Sequence, residues 1–249
     1  MSSERPFYGS FAWAYDTLVD RPVAQECTFV AAVFAAHGMA AGARVLDAGC
    51  GTGRYVRALD GHGFRVTGLD GSLALLAVAH QSGGCFVAAD ILAPPVRRVF
   101  AGVLCRGVLN DVLADDARRA ALRALGAALI AGGVLVLDVR DWDATARRKT
   151  IDPVHQRTVA TPEGRLTFRS ETRLDHSRRR LLVAERHVLT SEGATRTEDY
   201  EFVMRCWTRA ELEAGLAEAG FTTVELLGAY EAGVAAGATD RLVAVASSG

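Results

Sequence analysis

Short apolar runs alternate with amphipathic stretches along the first half of the chain. Residues 43–48, 64–70, 85–88, 99–105 and 134–139 read as strands. Their nearly continuous apolar character is what burial on both faces of a parallel sheet produces. Between them the pattern predicts helices. One runs over 21–37, capped by Asp20, with Pro22 in its first turn and Gly38 as its stop. Another covers 53–59. A third follows a Ser72 cap, with Leu73, Leu76 and Val78 on its face. The fourth follows an Asp115 cap, places Leu122, Leu125 and Leu129 at helical spacing, and is closed by Gly132-Gly133. Ahead of all of these, Phe7, Tyr8, Phe11, Trp13, Tyr15 and Leu18 make an aromatic segment suited to packing over something.

After residue 150 the period becomes two. Leu166, Phe168, Ser170, Thr172 and Leu174 alternate with Thr167, Arg169, Glu171 and Arg173. Turns at 175–180 and 191–193 then lead to 181–190 and 195–206, with Tyr200, Phe202, Met204 and Cys206 on one face. This is an antiparallel meander with a wet side. Thr208 and Glu211 form a capping box, and Trp207 can staple onto Leu212. Segments 221–227 and 242–246 close the sheet. The expected class is α/β: a doubly wound, mostly parallel, seven-stranded Rossmann-like sheet with an antiparallel β insertion. Residues 1–40 form an N-terminal helical cap, 41–150 and 207–249 the core, and 151–206 the insertion, which acts as a lid or a dimer contact.

The 249 residues, half of them hydrophobic, are ample for such a core. A net charge of −1 points away from nucleic acid and membrane surfaces. No apolar run reaches the ~20 residues of a membrane span. The first eleven residues lack a signal-peptide pattern, so a cytoplasmic location is expected. The five cysteines show no CxxC pair or zinc spacing and read as reduced and mostly buried, and no metal site is expected. Lys149 is the single lysine, which argues against Schiff-base chemistry and a phosphate-binding P-loop.

Ligands of open parallel sheets bind beyond the C-terminal ends of the strands. There the chain places Asp47-Ala-Gly-Cys-Gly-Thr-Gly53, Asp70, Asp90-Ile91, the run Cys105-Arg-Gly-Val-Leu-Asn-Asp111, and Asp138, Arg140, Asp141 and Trp142. Glycines at 49, 51 and 53 imply backbone in contact with a ligand, with N–H groups on offer. Their spacing departs from G-x-G-x-x-G, and Asp47 has no role against a pyrophosphate; it suits a cationic amine. Asp70 can accept from both hydroxyls of a ribose and repels a 2′-phosphate. Asp90 can accept from an adenine amine while Ile91 packs on the ring and Leu75 covers its other face.

The ordered set Asp47–Gly53, Gly68-Leu-Asp70, Ala89-Asp90-Ile91 and Gly132-Gly133 before a strand resembles class I S-adenosylmethionine-dependent methyltransferases. The aromatic N-terminus and the antiparallel insertion are similar to their small-molecule branch, including glycine N-methyltransferase and sugar N,N-dimethyltransferases of antibiotic pathways. The resemblance implies S-adenosyl-L-methionine as cofactor. It places Gly49, Cys50, Gly51 and Gly53 at the methionine part, with Asp47 near the ammonium. Asp70 and Gly71 would lie at the ribose, and Asp90, Ile91 and Leu75 at adenine. Cys105, Arg106 and Gly107 would flank the sulfonium, and Tyr8 or Tyr15 would come from the closing N-terminal segment. Departures are a missing Pro-Pro-Tyr motif after strand four and the lack of a lysine there.

The reaction implied is in-line methyl transfer to a small-molecule acceptor, an amine ahead of a hydroxyl or carboxyl, with a non-catalytic cofactor sensor as the alternative. Acceptor-side candidates are Tyr15, Arg106, Asn110 and Asp111, with His155 and His187 as outsiders. Arg106 and Arg140 could fork onto an acceptor carboxylate. Each has a plainer reading. Asp111 could be a solvated cap and Arg106 a partner of Asp141. Tyr15 could be a core aromatic and His187 a satisfied structural histidine. Arg178–Arg180 reads as a solvated turn, and Trp142 either walls the pocket or simply packs. A homodimer is possible.

Overall fold

The computed structural model describes residues 5–248; Met1–Glu4 of the expected N-terminal cap, and Gly249, lie outside the described residues. Two 3-10 turns (Pro6–Tyr8, Ala12–Ala14) and a one-turn helix α1 (Tyr15–Leu18) precede α2 (Val23–Ala36). The core then runs β1 (Arg44–Ala48), α3 (Arg54–Gly61), β2 (Arg65–Asp70), α4 (Leu73–His80), β3 (Cys85–Ala88), β4 (Phe100–Arg106), α5 (Asp115–Ala128), β5 (Leu129–Arg140) and α6 (Trp142–Ile151). A meander follows: β6 (Val154–Thr161), β7 (Gly164–Asp175), β8 (Arg180–Ser191) and β9 (Ala194–Arg205). The chain returns through α7 (Arg209–Glu218), β10 (Thr223–Leu227) and β11 (Arg241–Ser247).

The large sheet has the order β10-β11-β5-β4-β1-β2-β3. Only β11 runs against the others, pairing antiparallel with both β5 and β10. Helices cover both faces. On one, Leu122, Leu125, Leu212 and Leu216 of α5 and α7 pack on Val103, Leu135 and Leu137. On the other, Val30, Phe34, Val56, Leu59 and Leu76 of α2, α3 and α4 pack on Val45, Val66 and Val136. The expected doubly wound sheet is therefore present.

The meander is a separate four-stranded sheet in the order β6-β7-β8-β9. On β7 the buried positions are Leu166, Phe168, Ser170 and Thr172, as period two requires. Its apolar side meets Phe7, Phe11, Ala14 and Leu18 of the N-terminal segment. The excursion is stitched at its base. Trp207 N–H donates to Arg140 O and Trp142 N–H to Trp207 O, each at 2.9 Å.

Some local expectations need correction. Asp20 does not cap α2, whose N-cap is Pro22, and Asp115 is not a cap but the first residue of α5 after Ala114. Gly132-Gly133 does not close a helix. α5 ends at Ala128, and the glycines lie inside β5, where the register jumps from Phe100↔Leu129 to Gly102↔Val134. That excursion admits Gly133 because a Cβ there would lie 3.0 Å from the Ala101 and Ile130 carbonyls. Helix α6 and strand β6 were not anticipated. The Ser72 cap (Leu75 N–H to Ser72 Oγ, 3.1 Å) and the Thr208–Glu211 capping box are both formed.

Candidate active site

A cavity of about 1000 Å³ opens beyond the C-terminal ends of the parallel strands. Asp47, Gly49, Cys50, Gly51, Asp70, Gly71, Leu75, Asp90 and Ile91 all line it, as do Tyr8, Tyr15, Arg106, Asn110 and Asp111. Gly53 and Cys105 do not. Gly53, at φ +75°, is the N-cap of α3, and a Cβ on it would meet the Phe86 ring at 2.8 Å. It is required for packing and backbone shape. Cys105 is fully buried within the sheet core.

The loop is tight for internal reasons too. Gly49 has φ +84°, and a Cβ there would lie 2.2 Å from Val108 Cγ2. Its N–H groups are not aimed at the cavity as the sequence suggested. Gly49 and Cys50 donate to Leu69 O (2.7 and 3.0 Å), Gly51 to Asp70 Oδ2 (2.8 Å) and Gly53 to Cys50 O (2.9 Å). What the loop offers instead is close approach and a carboxylate.

That carboxylate is Asp47. It is 1% exposed, and neither oxygen has a hydrogen-bond partner. Burial first, and the nearby Asp70 second, push its carboxyl up to about 7, against the opposing pull of Arg106 and Arg21. A buried carboxylate without partners is costly, so this atom pair fits a cationic donor brought by a ligand. Asp70 spends one lone pair per oxygen, on Gly51 N–H and on Ser72 N–H (both 2.8 Å), leaving room for two further donors. Burial raises its carboxyl as well, while the Ser72, Gly51 and Gly71 N–H groups pull it back. Asp90 keeps one oxygen on Leu92 N–H (2.9 Å).

Arg21 was not anticipated. It lines the cavity with its guanidinium over Gly107, donates to Tyr15 Oη (3.1 Å), and has no carboxylate partner among the described residues. No sequence signal singles it out.

Arg106 corrects a prediction. Its fork is occupied by Glu26, through Nε at 2.5 Å and Nη2 at 2.6 Å, and Glu26 also accepts from the Tyr55 hydroxyl at 2.5 Å. The guanidinium is thus engaged through two nitrogens while Nη1 is left without a partner, and the Arg106–Asp141 pair is absent because Asp141 caps α6 through Ala144 N–H (2.8 Å). Arg140 is likewise held by Asp240 (3.0 Å), which it shares with Arg148. Asn110 accepts from Arg140 N–H (2.9 Å) and so braces the β4 and β5 ends. Trp142 packs against Leu181, Val183 and Cys206, away from the cavity.

Asp111 is no cap. It stands exposed to the cavity, yet crowding by protein pushes its carboxyl above the ordinary value. Arg5, Arg140 and a hydrogen bond with Tyr8 oppose that rise, and Glu185 adds to it. Arg5, a second unanticipated residue, donates to Tyr8 Oη (3.0 Å) and forks onto Glu185 of β8 at 2.5 and 3.0 Å. The N-terminal segment is therefore fastened to both sheets. Ser72 Oγ donates to Tyr8 O, Thr52 Oγ1 to Asp16, and Ser10 Oγ to Glu198. His187, fully buried, stacks on Phe11 and lies edge-on to Phe7. Neither ring nitrogen has a well-formed hydrogen bond, and Nε2 lies 3.5 Å from Glu185, so the satisfied histidine expected there is only loosely partnered. His155 is exposed on β6.

Residues 45–133 match the methyltransferase domain family. A Geobacillus sp. (strain WCH70) protein that bears a provisional methyltransferase name is 41% identical over 73 residues, 29% of this chain; the match spans only 30% of that protein's length. A S-adenosylmethionine-dependent methyltransferase from Clostridium acetobutylicum shares the fold at TM-score 0.80 and 17% identity, covering 97% of this chain and 99% of that one. The S-adenosylmethionine-bound amino pentose methyltransferase of calicheamicin biosynthesis from Micromonospora echinaspora does so at 0.72 and 25%, covering 98% and 99%. The sugar N-methyltransferase KedS8 from Streptoalloteichus sp. gives 0.77 and 20%, covering 99% and 95%. Residues 45–133 of this chain are thus similar to methyltransferase domains. The whole chain has the fold of solved S-adenosylmethionine-dependent methyltransferases.

Proposed function

We propose that this protein transfers a methyl group from S-adenosylmethionine to an amine nitrogen of a small molecule. The partnerless Asp47 carboxylate beside the glycine loop is the observation that carries the cofactor half. It fits the ammonium of a methionine moiety, Arg21 fits its carboxylate, and the spare lone pairs of Asp70 fit ribose hydroxyls. Asp90, Ile91 and Leu75 line the cavity where adenine would be held. The bound cofactor supplies a sulfonium methyl as electrophile.

The chain's own residues orient the acceptor and manage its proton. An amine reacts only unprotonated, and Asp111, a carboxyl on the cavity wall whose hold on a proton is strengthened by burial, is suited to receive that proton. Tyr8, fixed by Arg5, and Tyr15, fixed by Arg21, offer hydroxyls on the same side. The sugar N-methyltransferase of similar fold supports nitrogen as the acceptor atom.

Calorimetric titration with S-adenosylmethionine tests the first half. No measurable affinity, or affinity unchanged by Asp70→Ala, would remove the cofactor assignment. Mass-spectrometric turnover across paired amines and alcohols tests the second. Methylation of alcohols alone would reassign the acceptor atom, and tight binding without turnover would mark a sensor.

A further inference from the structure

The turn between β7 and β8 and the first residue of β8 carry Arg178, Arg179 and Arg180, which the sequence suggests are simply solvated. Arg178 conforms, with its side chain 69% exposed, and Arg179 does so in part, at 38%. Arg179 and Arg180 each bury Nε without a hydrogen-bond partner. Together with Ser177 and Arg205 these arginines line a second cavity of about 230 Å³, apart from the one beyond the parallel strands.

Charge is not balanced there. Arg179 and Arg205 share Glu211 (2.5 and 3.2 Å), Arg205 also reaches Asp115 (2.5 Å), and Arg178 approaches Asp175 only to 3.9 Å. Arg180 has no ion-pair partner among the described residues. Nearby, Arg118 is 3% exposed and has no carboxylate partner either; it lies over the Trp207 ring at 3.4 Å and donates only to Cys206 O. Burial first, then Arg205 and Arg179, disfavour its charge, against the pull of Glu211 and Asp115. Five guanidiniums thus gather around three carboxylates. Arg179 also adopts a left-handed backbone (φ +52°), unusual for a side chain of its size.

We propose that Ser177, Arg178, Arg179, Arg180 and Arg205 form a binding site for a tetrahedral oxyanion, a phosphate group either free or as a monoester. Several planar N–H forks around a small concavity are the donor set that recognises phosphate oxygens, beside Ser177, whose hydroxyl donates to Asp175 at 2.7 Å. Its charge would offset the surplus of guanidiniums. The site touches the loop that lines the main cavity, since Arg205 N–H donates to Asn110 O at 2.8 Å and its side chain to Leu113 O at 3.1 Å.

The test is calorimetric titration of the full chain with inorganic phosphate and, separately, glycerol 2-phosphate, with ionic strength held constant by sodium chloride. Arg180→Gln and the exposed Arg178→Gln are each expected to weaken binding about tenfold or more. Arg21→Gln, in the main cavity, should leave it unchanged. Tighter binding of the monoester identifies an organic phosphate as ligand; equal binding identifies the free ion. Circular dichroism checks that each variant is folded, and Arg178→Gln decides the matter if Arg180→Gln is not. No phosphate-specific heat up to roughly 10 mM, or an affinity that follows Arg21 and ignores the turn arginines, overturns the site.

Discussion

Replacing Asp47 with Asn should raise the stability of the ligand-free protein and lower its affinity for cofactor, two effects that usually travel together in the opposite sense. The carboxyl has an ordinary value of 3.8 and stands at about 7 in the folded chain. At about 1.4 kcal/mol per pH unit, that gap is worth roughly 4 kcal/mol. The sign follows from linkage. A carboxyl whose folded value is raised contributes stability below its unfolded value near 4, and that contribution is lost as pH climbs through about 7. At pH 8 the native chain carries the full penalty of an unpaired buried charge. An Asn side chain carries none, but it leaves a buried amide unsatisfied at a cost of about 1–3 kcal/mol. The net gain for Asp47→Asn is then roughly 2 kcal/mol, or about 4–8 °C in Tm for a chain of this size. At pH 5 the native carboxyl is already protonated and the gain disappears. Losing a charge-assisted bond to the ligand ammonium should weaken S-adenosylmethionine binding about 10- to 100-fold. Differential scanning calorimetry at pH 5 and pH 8, with titration calorimetry at pH 8, measures both arms. A Tm difference that ignores pH, or unchanged affinity, would refute the reasoning.

The Gly49→Ala variant should lose cofactor binding and melt lower by several degrees, because its Cβ meets Val108 at 2.2 Å on a backbone with φ +84°; wild-type affinity would show that the loop yields. Asp111→Asn should cut the turnover number about 100-fold, in line with a positioned proton acceptor. It should also remove the acidic limb of the pH–rate profile, which in the native protein rises through the raised carboxyl of Asp111; an unshifted limb would move the role elsewhere. Glu185→Gln, which loosens the fork from Arg5 (2.5 and 3.0 Å), should raise the cofactor Kd about tenfold and speed proteolysis near the N-terminus. Equal proteolysis rates would mean that the aromatic packing alone holds the segment.

The parts of the site within one strand-turn-helix unit could be read from the sequence. Asp47, Gly49, Gly51, Asp70 and Asp90 are placed by the strands they end, and strand ends are set by local apolar pattern. Arg5, Arg21 and Glu26 were not legible. Arg5 meets a residue 180 positions away, and Arg106 finds Glu26 across 80. Nothing local distinguishes such an arginine from a solvated one. The same reason hid Arg179 and Arg180, which look like surface residues until α7 supplies Glu211 to Arg179 and β9 supplies Arg205. Strand β6 escaped notice because no residue in it is fully buried, so no apolar alternation marks it. The pair Gly132-Gly133 misled because two adjacent glycines after an apolar helix face look like a stop, whereas here they let β5 bulge past Ala101.

The stitching of Arg140 and Trp142 to Trp207 bears on how such a chain can diversify. Where the polypeptide departs and where it rejoins are neighbours on one ladder, so the core meets the meander across a gap that backbone hydrogen bonds already close. A replacement segment of another length or sequence would inherit those two anchor points and add little closure entropy to the core. Only Met204 of the meander reaches the main cavity directly, and the cofactor-facing residues lie on the other side of the junction. Chimeras cut at Arg140 and Trp207 would exchange α6 and the meander together and alter what is placed against Met204, provided the incoming segment keeps a carboxylate for Arg5 and an apolar face for Phe7 and Phe11.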